Sequence, residues 1–152
     1  MKKYKHKIAG FILIIAALQL VSCNKQASNY EKIEPAHLDH VEGSELMRLT
    51  LTEKAIERVD IKTDQIKEEA ITDKSGKTSD RMVTPHGSVI YDAFGHIWLY
   101  TNPEPRVFVR NEIKIDFIQG DKVVLNECPP VGTAVVVQGA AELYGTEYEV
   151  GH

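Results

Sequence analysis

The chain has 152 residues, 43% of them apolar and 26% charged, which leaves room for one domain and excludes a disordered chain. Its formal net charge is −4, and residues 1–22 hold four lysines and no acid, so loss of that segment would leave −8. That balance excludes a nucleic-acid footprint and docking on anionic lipid through charge.

The N-terminus carries a cationic stretch (Lys2, Lys3, Lys5, Lys7), an apolar run from Ile8 to Leu18, and then Leu20-Val21-Ser22-Cys23. This is the layout of a secretory signal, and the apolar run is too short to span a bilayer comfortably. The ending resembles a bacterial lipobox, in which a small residue exposes the scissile bond and the following thiol takes the diacylglyceryl group. Two acyl chains anchor stably where one is marginal. The expected organisation is a lipoprotein signal peptide over 1–22, a lipidated flexible tether over 23–45, a β domain over 46–147 and a tail over 148–152. The lipid on Cys23 is the only group the chain is expected to carry, and the expected location is the cell envelope, facing the periplasm.

Within the tether, His37 and His40 flank Leu38-Asp39. On a helical turn both imidazoles would meet one metal, so they are the candidate ligands of a chain otherwise expected to bind none. Met47 to Leu51 alternates as a strand does, and Thr52 is a good N-cap for a short helix over about 53–58. Residues 60–72 read as extended. The five-residue spacing of Ile61, Ile66 and Ile71 breaks the period of two and predicts a bulge or a mixed edge strand. Residues 73–81 are polar and predict an exposed loop.

From there the pattern is β. Strands are predicted at Ser88 to Tyr91 and Ile97 to Thr101, joined by a hairpin loop, Asp92-Ala93-Phe94-Gly95-His96. Asn102 to Pro105 predicts a break in the ladder. Arg106 to Gln119 reads as one long stretch with Ile113, Ile115 and Phe117 on one face. Turns at Gly120-Asp121 and Pro129 to Gly132 bracket a strand at 122–125, and Ala134 to Val137 closes the set. The tail from Gly139 predicts one helical turn near Ala141 to Tyr144. The fold class is therefore mainly β: a small antiparallel roll or barrel of six to seven strands with one short helix. The residues show no internal repeat.

Catalytic patterns are absent from the sequence. There is no Gly-x-Ser-x-Gly and no Cys/His pairing, and the Gly76-Lys77-Thr78 triplet lacks the earlier glycine of a phosphate loop, since Ile71 stands there. Cys128 has no activating neighbour and reads as a structural thiol. Trp98, Tyr100, Phe108 and Phe117 read as core, while Tyr144 and Tyr148 are candidates for docking. A non-enzymatic protein is expected.

Several segments together carry a resemblance. Val83-Thr84-Pro85-His86-Gly87-Ser88-Val89-Ile90, Ile97-Trp98-Leu99-Tyr100, Gly120-Asp121-Lys122-Val123-Val124-Leu125 and Pro130-Val131-Gly132-Thr133-Ala134-Val135-Val136 occur in this order. They resemble segments of the periplasmic adaptor subunits, or membrane fusion proteins, of resistance-nodulation-division efflux pumps. Arg48 to Thr52 and Ile61-Lys62-Thr63 resemble the adaptors' first β segment. The resemblance covers about residues 47–147 and implies the membrane-proximal domain alone, without the lipoyl-like domain, coiled-coil hairpin and central barrel of a complete adaptor. It implies a membrane-anchored accessory whose partner is a resistance-nodulation-division transporter or a full-length adaptor. The alternative expectation is a stand-alone periplasmic lipoprotein binding a metal or small ligand.

Overall fold

The computed structural model describes residues 34–150. The expected signal peptide, the lipidation site Cys23 and the last two residues lie outside the described residues. The chain begins with β1 (Ala36–His40) and β2 (Met47–Leu51), a hairpin in full register from Ala36↔Leu51 to His40↔Met47. Thr52 then caps α1 (Glu53–Val59), its hydroxyl accepting from the Ala55 amide at 3.2 Å, and Asp60 ends the helix in the left-handed region. Next come β3 (Lys62–Gln65), β4 (Lys67–Thr72), β5 (Thr78–Pro85), a 3-10 turn over His86–Ser88, β6 (Ile90–Tyr91) and β7 (Ile97–Glu104). After these follow β8 (Val107–Glu112), β9 (Lys114–Gln119), β10 (Lys122–Glu127), β11 (Ala134–Gln138) and α2 (Ala140–Val150).

The fold is mainly β, as expected, with all pairings antiparallel. A larger sheet has the order β1-β2-β8-β7-β11-β3 with β6 added beside β7, and a smaller one has the order β4-β5-β10-β9. At two of its passages between them the chain crosses at a single buried residue. Ile66 separates β3 from β4, and Ile113 separates β8 from β9; they are 1% and 2% exposed. Each crossing is tied by backbone bonds, Ile66 to Thr133 and Gly132, and Ile113 to Ile97. Exchanging β3, β4, β5 and β7 for β8, β9, β10 and β11 maps the smaller sheet and the β8-β7-β11-β3 core of the larger one onto themselves. The topology thus has a two-fold repeat that the residues themselves do not display.

Three cores result. Leu49, Leu51, Tyr100, Phe108 and Val136 pack with Ala55 of α1 and Ala140 and Leu143 of α2. Ile66, Leu99, Ile113, Val123, Leu125 and Val135 fill the space between the sheets. Ile71, Val83 and Val124, with Phe117 against them, form a third cluster within the smaller sheet. The five-residue isoleucine spacing now has a cause. Ile61 packs on the first core, Ile66 sits in the second and Ile71 in the third. It marks a chain changing sheets, and its two parts, β3 and β4, are edge strands, as the second of the two expected readings has it, with a register shift in the β3–β11 ladder.

Several expectations need correction. There are eleven strands and two α-helices among the described residues, because what reads as one long strand at 106–119 is two strands divided at Ile113. The flexible tether does not extend to residue 45: residues 36–40 are β1, whose five pairs with β2 give the larger sheet an edge, and Ala36 is 3% exposed. The polar side chains that suggested a tether belong to the solvent side of an edge strand. The tail forms α2, not one turn. The loop expected at 73–81 is a tight turn at 73–77 followed directly by β5. Likewise β7 continues to Glu104, absorbing Pro103 in a register shift between Thr101 and Glu104. The strand expected at Ser88 to Tyr91 is confined to β6 at Ile90–Tyr91, because Ser88 ends a 3-10 turn over His86–Ser88. A Cβ on Gly87 would stand 2.6 Å from the Val137 carbonyl oxygen, so only glycine fits that approach.

Candidate functional site

Two turns of the molecule share one design. Asp73-Lys74-Ser75-Gly76-Lys77 and Asp92-Ala93-Phe94-Gly95-His96 both read Asp-x-x-Gly-x. In the first, Asp73 Oδ1 accepts the amides of Ser75 at 2.8 Å and Lys77 at 3.1 Å. In the second, Asp92 Oδ1 accepts the amides of Phe94 at 2.8 Å and His96 at 2.9 Å. Gly76 and Gly95 sit at φ +83° and +92°, which the turn requires and which a side chain would strain. The third position of the first turn holds Ser75, a residue that suits an exposed turn. The same position of the second holds Phe94, 86% exposed. A lone exposed apolar side chain is ordinary, but the sister turn shows that this geometry does not need one. Tyr91, on β6 of the same hairpin, is 55% exposed.

The Phe94 turn is more firmly held than its counterpart. Asp92 Oδ2 also accepts from Trp98 Nε1 and His96 Nδ1, each at 2.9 Å, and its side chain is only 4% exposed. Burial alone would raise this carboxyl. The hydrogen bonds from Trp98, His96 and the two amides outweigh that and hold it well below the usual carboxylate range. An ionised carboxylate only accepts, so the His96 Nδ1 that faces it carries a proton and donates. The rings stack onward: Phe94 to His96 at 6.5 Å between centroids, and His96 edge-on to Trp98 at 5.9 Å.

Trp98 leads to a buried ionic cluster. The Arg110 guanidinium lies 4.2 Å from the Trp98 ring centre, and 5.7 Å and 5.6 Å from those of Tyr144 and Tyr148. Arg110 Nη2 pairs with Glu147 Oε1 at 3.1 Å, and Arg110 Nη1 donates to the Tyr148 hydroxyl at 3.3 Å. The other Glu147 oxygen accepts from the Tyr100 hydroxyl. Arg110 Nε is buried and finds no hydrogen-bond partner among the described residues; the guanidinium lies against aromatic faces instead. Burial first, then Glu147, pushes the Tyr100 phenol far up, so it stays a donor. Tyr144 is pushed up to about 12, by burial and then by Tyr148 beside it. This cluster fastens α2 to β7 and β8 and backs the hairpin from behind.

Of the residues singled out from sequence, Tyr100 and Phe108 are core. Tyr148 is 44% exposed and joins the cluster. His37 and His40 stand three apart on β1, and successive strand residues alternate faces. The two imidazoles therefore leave opposite faces of the strand, and His37 Nε2 pairs instead with Asp39 Oδ1 at 3.2 Å. The helical geometry that made them candidates is not there. His86 and His96 lie on other elements, and no group of three His, Cys, Asp or Glu suited to a metal occurs among the described residues. The Cys128 thiol is pushed up by burial, and its Sγ lies 3.5 Å from Met82 Sδ. Phe94 was passed over as a loop residue. The repeated Asp-x-x-Gly-x frame was the signal that could have marked it. Compared with protein-family models, curated proteins and solved structures, the chain matches none.

Proposed function

We propose that this chain is a lipid-anchored, non-enzymatic docking domain serving a resistance-nodulation-division transporter complex, and that it contacts the transporter or a full-length adaptor through the Phe94 hairpin. The observation that carries the docking role is a turn held by the Asp92 carboxylate that presents an aromatic ring its geometry does not need. The motifs over residues 47–147 supply the partner class, and the lipobox-like ending at Cys23 supplies the anchor.

Weak contacts are enough for such a domain. Burying one phenylalanine side chain contributes about 1.5–3 kcal/mol. A second molecule held on the same membrane by a short tether meets its partner at an effective concentration on the order of millimolar, which matches a contact worth about 4 kcal/mol. Because the turn is already rigid, little ordering cost is added on docking.

The test is co-purification of the full lipidated chain from native membranes. Transporter or adaptor subunits are expected in the purified material. Their absence from it, with the chain itself recovered intact from the membrane fraction, contradicts the reading.

A further inference from the structure

α2 is weakly built for a helix that closes a core. A single residue, Gly139 at φ +88°, joins it to β11. In mid-helix Gly145 has nothing within 4 Å of where a Cβ would stand, so packing does not require a glycine there. Against alanine it costs the helix a factor of about two to five in its folding equilibrium. The last turn carries no basic residue, although the helix dipole favours one. α2 is therefore held by what it docks on. Ala140 and Leu143 pack into the first core. Glu147 is the latch, with one oxygen paired to Arg110 and the other accepting from Tyr100. Arg110 closes the contact by donating to the Tyr148 hydroxyl. Docking also leaves a bond unmade. The buried Arg110 Nε has no partner while α2 is in place, and water supplies one when the helix lifts away.

The latch reaches the Phe94 turn through two side chains. Arg110 lies 4.2 Å from the Trp98 ring centre, and Trp98 Nε1 donates to Asp92 Oδ2 at 2.9 Å. The other oxygen of that carboxylate holds the Phe94 and His96 amides. Tyr144 of α2 stands near the same carboxylate: after burial and Tyr148, the Asp92 charge adds to what raises its phenol.

We propose that α2 is a strap that opens as a unit about Gly139, ahead of the rest of the domain, and that its docking state sets whether the Phe94 turn is held or free. Closed, Glu147 fixes Arg110, Arg110 covers the Trp98 indole, and the indole seals Asp92. Open, the indole loses its cover, and water competes for the carboxylate that holds the turn. The link is reciprocal, so anything that binds the held turn also keeps α2 down. The device does not depend on what the turn contacts or on how the chain is anchored.

The test is residue-resolved amide exchange of the full chain at neutral pH. In the wild type, α2 amides from Leu143 to Tyr148 and those of Phe94 and His96 should exchange at least about tenfold faster than Val123 to Leu125 of β10, which report global unfolding. Gly145→Ala strengthens the helix without touching the turn. It should slow α2 about two- to fivefold, and slow Phe94 and His96 by the same factor. The Ser75 and Lys77 amides, held by Asp73 in the sister turn, are the control and should not move. Glu147→Gln should speed α2 and the Phe94 turn together and again leave Ser75 and Lys77 unchanged. Gly145→Ala carries the test alone if Glu147→Gln does not fold. Exchange of α2 no faster than β10 would overturn the strap. Phe94 and His96 unmoved by Gly145→Ala, or Ser75 and Lys77 moving with them, would overturn the link to the turn.

Discussion

Asp92 and Asp73 make the same backbone bonds, yet only Asp92 is sealed under a tryptophan and a histidine. Its carboxyl is held below the ordinary value of about 3.9. A carboxylate depressed on folding adds stability above its unfolded pKa, and that contribution is lost as pH falls through the folded one. The hairpin should therefore stay closed at neutral pH and loosen below about pH 4, which amide exchange at Phe94 and His96 would follow. An Asp92→Asn variant should show faster exchange at neutral pH and lose that acid step; unchanged exchange would contradict the role given to the carboxylate. The Arg110–Glu147 pair is a different case, because both side chains are nearly fully buried. Glu147→Ala leaves Arg110 buried and unpaired, so a loss of about 3–5 kcal/mol is expected in denaturant unfolding.

At the level of elements, the crossings at Ile66 and Ile113 decide the architecture. Each passes the chain from one sheet to the other and sits between them. Ile66→Ala and Ile113→Ala should each cost about 2–5 kcal/mol, measured by chemical denaturation. Ile61→Ala, at a half-buried position on the first core, should cost less. A smaller loss at Ile66 than at Ile61 would contradict the two-sheet account. These crossings also mark where the sequence stopped being legible. The strand at Met47, the Thr52 cap and the hairpin at Asp92 depend on neighbours a few residues away, and local pattern exposes them. A strand that changes sheets keeps its extended backbone and shows only a shifted period, so 106–119 reads as continuous. β1 stayed hidden because its outer side chains are solvated and its partner lies seven residues beyond its end. The Phe94 turn proposed for docking was less legible still: Phe94 stands out only beside Ser75 in the sister turn, and α2 with its Arg110 contacts depends on partners about forty residues distant.

At the scale of the whole molecule, the proposal is a lipid anchor at Cys23 and a folded domain over the described residues that makes its contact through the Phe94 turn. If Cys23 is the lipidation site proposed, Cys23→Ser should abolish lipid labelling and release the chain from the membrane fraction, since both acyl chains would hang on that one thiol. Undiminished retention would remove the anchor from the account. The central claim is that the domain binds through Phe94, and the substitution the molecule itself suggests is Phe94→Ser, which copies the sister turn. The ring is 86% exposed, so folding stability should stay within about 0.5 kcal/mol of wild type. The decisive measurement is the amount of transporter or adaptor subunit that co-purifies with this variant from native membranes, relative to wild type at equal expression. The account predicts a fall of at least about tenfold, as for removal of an interface anchor worth about 1.4 kcal/mol or more. Equal recovery from wild type and Phe94→Ser would contradict it.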